Sequence, residues 1–267
     1  MKNKGEDKNR YDDKNRGDDW IETMQLEGRK AVLEALNHNK PIDRLLLRKE
    51  AEGISGTLKV IAAKARERGV VVQEVDRAKL DSLAQSGNHQ GVIALCPAKE
   101  YVEVEDILAI AAERNEPPFV VLLDGITDPH NLGAILRTVE AGGAHGVIIP
   151  KRRAVGLTGA VAKTSAGAIE HVAVARVTNI NRCIDELKAK GLWIICADGG
   201  ENEQSIYDAD FSGPIAMVIG SEGEGVSRLV KEKADFVVRI PMLGRISSLN
   251  ASVAAGIMIY EAVRRRL

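Results

Sequence analysis

Three polar segments of this 267-residue chain carry side chains able to do chemistry. The first is DGITDPHN, residues 124–131. It ends at Asn131, and Arg137 follows six residues later. The second is GSEGEG, residues 220–225, where Glu222 and Glu224 sit among glycines. The third is PMLGRISSLN, residues 241–250. Ser247, Ser248 and Asn250, with Ser252 just beyond, crowd the start of an apolar run. Amides and carboxylates orient partners by hydrogen bonding. An arginine binds phosphate or faces developing negative charge.

Each of these residues also has a bland reading. Asn131 suits a helix N-cap or a turn. Arg137 lies three residues before Glu140, the spacing of a surface ion pair. Its neighbours Ile135, Leu136 and Val139 are apolar, however, and an arginine among them needs an anionic partner. Glu222 and Glu224 suit an exposed turn, and Ser248 or Asn250 a simple cap. The glycine order G-x-x-G-x-G is not the dinucleotide fingerprint, and the Gly-Lys-Ser/Thr of a phosphate loop is absent. Pyrophosphate is therefore disfavoured. The loop's backbone groups fit a neutral or cationic ligand better.

The elements that must position these loops come from periodicity. FVVLLDGI reads as a buried parallel strand. After it come a helix over NLGAILRTVEAGG, a strand GVIIP, a basic turn with Lys151, Arg152 and Arg153, and a helix over 156–169. Strands HVAVARV, LWIICAD, IAMVIG and FVVRIPM alternate with helices NINRCIDELKAKG and GVSRLVKEKA, and a long helix closes the chain. This pattern predicts a parallel α/β sheet with helices on both faces. Ligands of such sheets bind beyond the C-terminal strand ends, so the three loops should converge.

Upstream, residues 21–98 alternate short strands and helices and predict a small α/β domain. Its loop SGNHQG holds His89 and Gln90. A loop or capping role is the plain reading, and an RNA contact the sharper one. Residues 99–118 read as a linker with a short acidic helix, and 119–267 as the second domain. Residues 1–20 carry almost no apolar side chain and predict a disordered tail.

Composition narrows the function classes. A net charge of −1 excludes a uniformly basic nucleic-acid binder, though not local basic patches. Aromatic residues are 3% of the chain, too few for extensive base stacking. Three dispersed cysteines form neither a metal spacing nor a disulfide framework. With no signal peptide and no transmembrane run, the expected compartment is the cytoplasm. Arg264–Arg266, at a helix C-terminus, read as a solvated end.

Together, LDGITDPHNLGAILRT, MVIGSEGEGVS and IPMLGRISSLNASVAAGIMIYEA resemble the three motifs of the SpoU family of RNA ribose 2′-O-methyltransferases, in the knotted SPOUT superfamily. GRKAVLEAL and HQGV resemble the L30e-like RNA-binding domain of the branch that methylates a guanosine in the peptidyl-transferase P loop of 23S rRNA. The resemblance implies a C-terminal trefoil knot, a homodimer with the last helix in its interface, and S-adenosylmethionine as methyl donor. By motif position, Gly220, Ile240 and Leu249 would contact the cofactor, with Met242 and Ser248 nearby. Asn131, Arg137, Glu222 and Asn250 match the family's polar catalytic set. The resemblance gives Arg137 a part in activating the hydroxyl; the reading favoured here is that Arg137 binds the target phosphate and stabilises developing alkoxide charge, with Glu222 and Asn250 orienting the arginine and the cofactor pocket. No metal is needed. Arg29, His89, Gln90, Lys151, Arg152 and Arg153 are the RNA-binding candidates, with Lys30 beside Arg29. A tRNA substrate, a catalytically silent RNA-binding factor and a nucleotide-dependent dehydrogenase are the alternatives.

Overall fold

The computed structural model describes residues 25–49, 56–84, 88–198, 203–246 and 248–267. The tail expected at 1–20, and Ser247, lie outside these residues.

The first domain comprises β1 (Gln25–Glu27), α1 (Arg29–Asn37), β2 (Arg44–Arg48), α2 (Gly56–Glu67), β3 (Val71–Val75), α3 (Arg77–Leu83) and β4 (Val92–Leu95). Its sheet runs β1-β4-β2-β3; β2 and β3 are parallel and the other pairs antiparallel. Strand alternation splits the core. Leu45 and Leu47 face α1 and α2, while Leu46 packs with Leu80 of α3. The sequence pattern missed β1, because three residues are too few to show a period.

The segment 99–118 carries α4 (Val104–Glu113), the acidic helix expected there. Its Ile107 and Ala111 are fully buried, so the helix packs onto the large sheet. Then follow β5 (Phe119–Asp124), α5 (Pro129–Ala141), β6 (Gly146–Pro150), α6 (Gly159–Thr164), β7 (Val174–Val177), α7 (Ile180–Ala189) and β8 (Trp193–Ala197). The chain ends with β9 (Gln204–Ser205), β10 (Ile215–Gly220), α8 (Arg228–Lys233), β11 (Phe236–Arg239) and α9 (Ala251–Arg266). The sheet order is β7-β6-β5-β10-β8-β11-β9, and every pairing is parallel.

Alternation again assigns the faces. Phe119, Val121 and Leu123 of β5 pack with α5 and α9, while Val120 and Leu122 pack with α4 and α7. Helix α5 buries Leu132, Ile135, Leu136 and Val139, one helical stripe. Each such side chain contributes about 1.5–3 kcal/mol by leaving water.

Two expectations change. The helix predicted over 156–169 is shortened to α6. Thr158 caps its start, and Ala166 at φ 50° with Gly167 at φ 88° stops its continuation. Arg264 and Arg265 are exposed, as expected of a solvated end, but Arg266 is not. Arg264 and Arg265 pair with Glu261. Arg266 donates to the carbonyls of Pro117, Pro118, Phe211 and Gly213 and lies over the Phe119 ring. The chain end is thereby fastened to the start of β5.

The two domains meet at Asp43. Its carboxylate pairs with Arg176 on β7 and accepts a 3.1 Å hydrogen bond from the Tyr101 hydroxyl. Gly156 makes room for this cluster, since a Cβ there would lie 2.3 Å from Asp43 Oδ2. Among the described residues, no helix is long and apolar enough to cross a membrane.

Candidate active site

The register of the large sheet brings the first two loops together. Gly220, the last residue of β10, is paired with Asp124, the last of β5. Loops 124–131 and 220–225 therefore leave the sheet at one level. Asp124 ties them further, its Oδ2 accepting from Ser227 N at 2.9 Å.

Asn131 lies in the first turn of α5 and is buried. It is not the cap. Asp128 fills that position, accepting from His130 N, with Pro129 opening the helix. The Asn131 side chain is thus free for longer-range bonds. Its Nδ2 donates to Glu222 Oε1 at 3.0 Å, and its Oδ1 accepts from Asn250 Nδ2 at 3.0 Å. Asn250 Nδ2 also donates to Glu222 Oε1, and Ala251 N donates to the same oxygen at 3.4 Å. One carboxylate oxygen therefore joins all three loops.

Asn250 fulfils both of its readings. Its Oδ1 caps α9 through Ser252 N and Val253 N, while its Nδ2 faces the cluster. Capping fixes the backbone at Asn250 and so holds its amide toward Glu222.

Beside this cluster lies a cavity of about 390 Å³. Gly220, Ile240, Met242, Ser248 and Leu249 all line it, together with Glu222. The loop folds back tightly at Gly220, where a Cβ would fall 2.1 Å from the carbonyl carbon of Gly225. Ser221 and Gly225 close the turn through mutual backbone hydrogen bonds of 3.1 and 2.9 Å. Asp198 and Glu224 also border the cavity. Asp198 directly follows β8, and the rule that ligands bind beyond strand ends was the signal that could have found it. Glu224 is exposed, yet it faces the same space. The Cys196 thiol in β8 is pushed up to about 12, chiefly by burial, and is no nucleophile at neutral pH.

Arg137 does not join the cluster within one chain. It falls off the buried stripe of α5 and is exposed, bonded to no described residue. The expectation that Glu222 and Asn250 hold it is replaced by their bonds to Asn131. The apolar neighbours Ile135, Leu136 and Val139 turn inward, so the helical period resolves the apparent burial of the arginine.

The RNA-binding candidates divide. Arg29, His89 and Gln90 share a second cavity in the first domain. Lys151 lines the cleft between the domains, while Arg152 and Arg153 are exposed on the loop after β6.

Comparison with known proteins matches this division of the chain. Residues 118–260 match the SpoU rRNA Methylase family, and residues 25–102 match the RNA 2′-O ribose methyltransferase substrate binding family. YacO of Bacillus subtilis (strain 168), named for the TrmH family of tRNA/rRNA methyltransferases, is 48% identical over 239 residues. That match covers 90% of this chain and 94% of YacO. A Staphylococcus haemolyticus (strain JCSC1435) protein named for the same family is 47% identical over 247 residues, covering 92% and 97%. Among solved structures, the SpoU methyltransferase AviRb from Streptomyces viridochromogenes, in complex with the cofactor AdoMet, superimposes with TM-score 0.57 and 26% identity. The superposition covers 91% of this chain and 90% of AviRb. An AdoMet-bound rRNA methyltransferase from Sinorhizobium meliloti gives TM-score 0.57 and 28% identity, covering 91% and 87%. This chain belongs to the SpoU rRNA methylase family and is an S-adenosylmethionine-dependent RNA 2′-O-ribose methyltransferase.

Proposed function

We propose that the cavity bounded by Gly220, Ile240, Met242, Ser248 and Leu249 holds S-adenosylmethionine, and that Asn131, Glu222 and Asn250 order the methyl-transfer site beside it. The observation that carries this reading is the shared Glu222 oxygen, which joins three loops at the cavity wall. The residues fit the cofactor. Gly220 lets the loop's own backbone close tightly at the cavity wall, and Glu222 and Glu224 on that wall complement a cation. When bound, S-adenosylmethionine supplies an electrophilic methyl on a positively charged sulfur.

The chain's own task is to position a ribose 2′-hydroxyl in line with that methyl and to accommodate the charge its oxygen develops. Arg137 binds the phosphate next to the target and faces that oxygen. A guanidinium acts as a cation and not as a base, so the proton leaves through phosphate or water. The exposure of Arg137 supports a partner from outside the chain. The 50% and 52% exposure of Val253 and Tyr260 on α9 supports a homodimer through that helix. The contact of Glu222 with Asn250 and Ala251 supports a trefoil knot formed by the segments around 220–225 and 240–250.

We assign the substrate as a guanosine in the peptidyl-transferase P loop of 23S rRNA, methylated in the cytoplasm. The pairing of an L30e-like domain with the methylase domain supports this choice. A tRNA or another rRNA site is the second reading, favoured by relatives named for both RNA classes. The test incubates the protein with labelled S-adenosylmethionine and transcripts of the 23S P loop or of tRNA, then maps the methylated nucleotide. Label on a P-loop guanosine ribose supports the assignment; label confined to tRNA transfers it to the second reading.

A further inference from the structure

The segment that joins the two domains is tied down on the second one. Lys99 Nζ donates to the carbonyls of Glu170 and Val172 at 2.9 and 3.0 Å. Val102 N donates to Val174 O at 2.9 Å, and Val102 bridges Ala175 of β7 in parallel. Tyr101 lies between these anchors. Asp43 comes from the first domain, just before β2, where its N donates to Leu95 O at the end of β4. We propose that Asp43, Tyr101 and Arg176 form a joint that holds the first domain in one orientation, and that they are positioning residues for methyl transfer. The joint sets the reach from RNA held by the first domain to the methyl-transfer site in the second. It rests on the methyltransferase reading, with the first domain as the holder of RNA.

The chemistry of the joint favours orientation over stability. Arg176 Nη1 donates to Asp43 Oδ1, and its Nη2 donates to Lys151 O at 3.3 Å. Its guanidinium carbon lies 5.0 Å from the centre of the Tyr101 ring. The Tyr101 hydroxyl donates to Asp43 Oδ2 at 3.1 Å and accepts from Leu157 N at 2.9 Å. Both carboxylate oxygens of Asp43 are therefore bonded outside its own domain. Among the described residues, the buried Arg176 Nε has no hydrogen-bond partner. The second domain alone does not satisfy this arginine; the first domain supplies the charge that offsets its burial. Apolar faces can slide over one another, whereas a buried ion pair is satisfied in one geometry.

The joint also reaches the active-site loops. Arg176 and Tyr101 hold the two ends of segment 151–157, at Lys151 O and Leu157 N. Between them, Val155 N donates to Ile126 O at 2.9 Å. Ile126 belongs to the loop 124–131 that ends at Asn131. The bonds that seat the first domain thus brace the loop that brings Asn131 to Glu222. Rates of group transfer are sensitive to misplacement on the scale of 1 Å, so a loosened joint acts on the rate itself.

The test uses the full chain and transcripts of the 23S P loop and of tRNA. Asp43→Leu/Arg176→Met removes the polar joint and keeps most of its volume. With RNA and S-adenosylmethionine both saturating, its single-turnover rate should fall about 100-fold. S-adenosylmethionine affinity and melting temperature should stay near wild type, and RNA affinity should change by less than about tenfold. Spin labels on Lys59→Cys in α2 and Ala189→Cys in α7, both exposed sites, report the distance between the domains; the native cysteines are buried. Labelled chain is diluted with unlabelled chain so that only distances within one chain are read. The distribution should be narrow with the joint intact and broad in the double variant. Tyr101→Phe keeps the ring beside Arg176 and loses both hydroxyl bonds, so it should move rate and distribution the same way by less. A wild-type rate, an unbroadened distribution, or a rate loss that saturating RNA restores would overturn the joint. If the double variant does not fold, Tyr101→Phe is judged on the same three outcomes. Failure of the methyltransferase reading looks different: wild-type protein would methylate neither transcript, while the labels would still report a single orientation.

Discussion

Asn131 and Glu222, 91 positions apart in the chain, meet through a 3.0 Å hydrogen bond. The bond links the first turn of α5 to the loop after β10, and it exists because β5 and β10 are neighbours in register. Glu222→Ala leaves the buried Asn131 amide without its acceptor, at a cost of about 1–3 kcal/mol. Methyl transfer should fall about 100-fold, the scale of a small misplacement of reacting groups. Glu222→Gln keeps an acceptor oxygen and should be intermediate. Single-turnover rates with saturating S-adenosylmethionine check the order; a wild-type rate in Glu222→Ala would remove the cluster from the mechanism.

Arg137 makes no bond within the described chain, so Arg137→Ala should leave thermal stability within about 0.5 kcal/mol of wild type. Methyl transfer should drop about 100-fold or more if the guanidinium faces the developing charge. Near-normal transfer by a folded variant would refute that role.

Gly220→Ala places a Cβ 2.1 Å from the Gly225 carbonyl carbon and 2.2 Å from Val226 N. Backbone has to move, and the wall of the cavity moves with it. Calorimetry should show S-adenosylmethionine affinity reduced at least about tenfold, or about 1.4 kcal/mol. Unaltered affinity would separate the cavity from the cofactor.

Asp43 and Arg176 are buried against each other, at side-chain exposures of 11% and 13%. Burial raises the Asp43 pKa, and Arg176 and Tyr101 counter it. Asp43→Ala leaves a buried guanidinium uncompensated and should cost about 3–5 kcal/mol. The double variant Asp43→Leu/Arg176→Met should recover most of that loss. Denaturant melts at neutral pH measure both.

His145 is buried, accepting from Phe119 N at Nδ1 and bonding Glu116 through Nε2. Burial holds its pKa below the ordinary value; Arg114 acts the same way and Glu116 opposes both. The unfolded chain therefore binds the proton first. Its contribution to stability is complete above about pH 6.5 and is lost as pH falls toward the folded pKa. Melting temperature should decline through that window, and His145→Asn should flatten the decline.

Much of this was legible before the fold. The inward stripe of α5 follows from Leu132, Ile135, Leu136 and Val139, and convergence of the loops follows from the parallel pattern. What stayed hidden depended on three-dimensional partners. Asn131 could be a cap or a site residue until Asp128 was seen to take the cap. His89 carried the chemistry of a ligand, but Gly91 and Asp81 consume both nitrogens. The early end of α6 came from left-handed backbone at Ala166 and Gly167, which helical propensity does not register. Arg266 looked solvated because its acceptors are backbone carbonyls remote in sequence.

The most direct test of the central claim is a map of ribose 2′-O-methyl groups in rRNA and tRNA from cells with and without this protein. The account predicts loss of one methyl group, on a guanosine of the 23S peptidyl-transferase P loop. Restoration should follow from the wild-type chain but not from Glu222→Ala. Unchanged 2′-O-methylation of both RNA classes, in cells with no redundant enzyme, would contradict it.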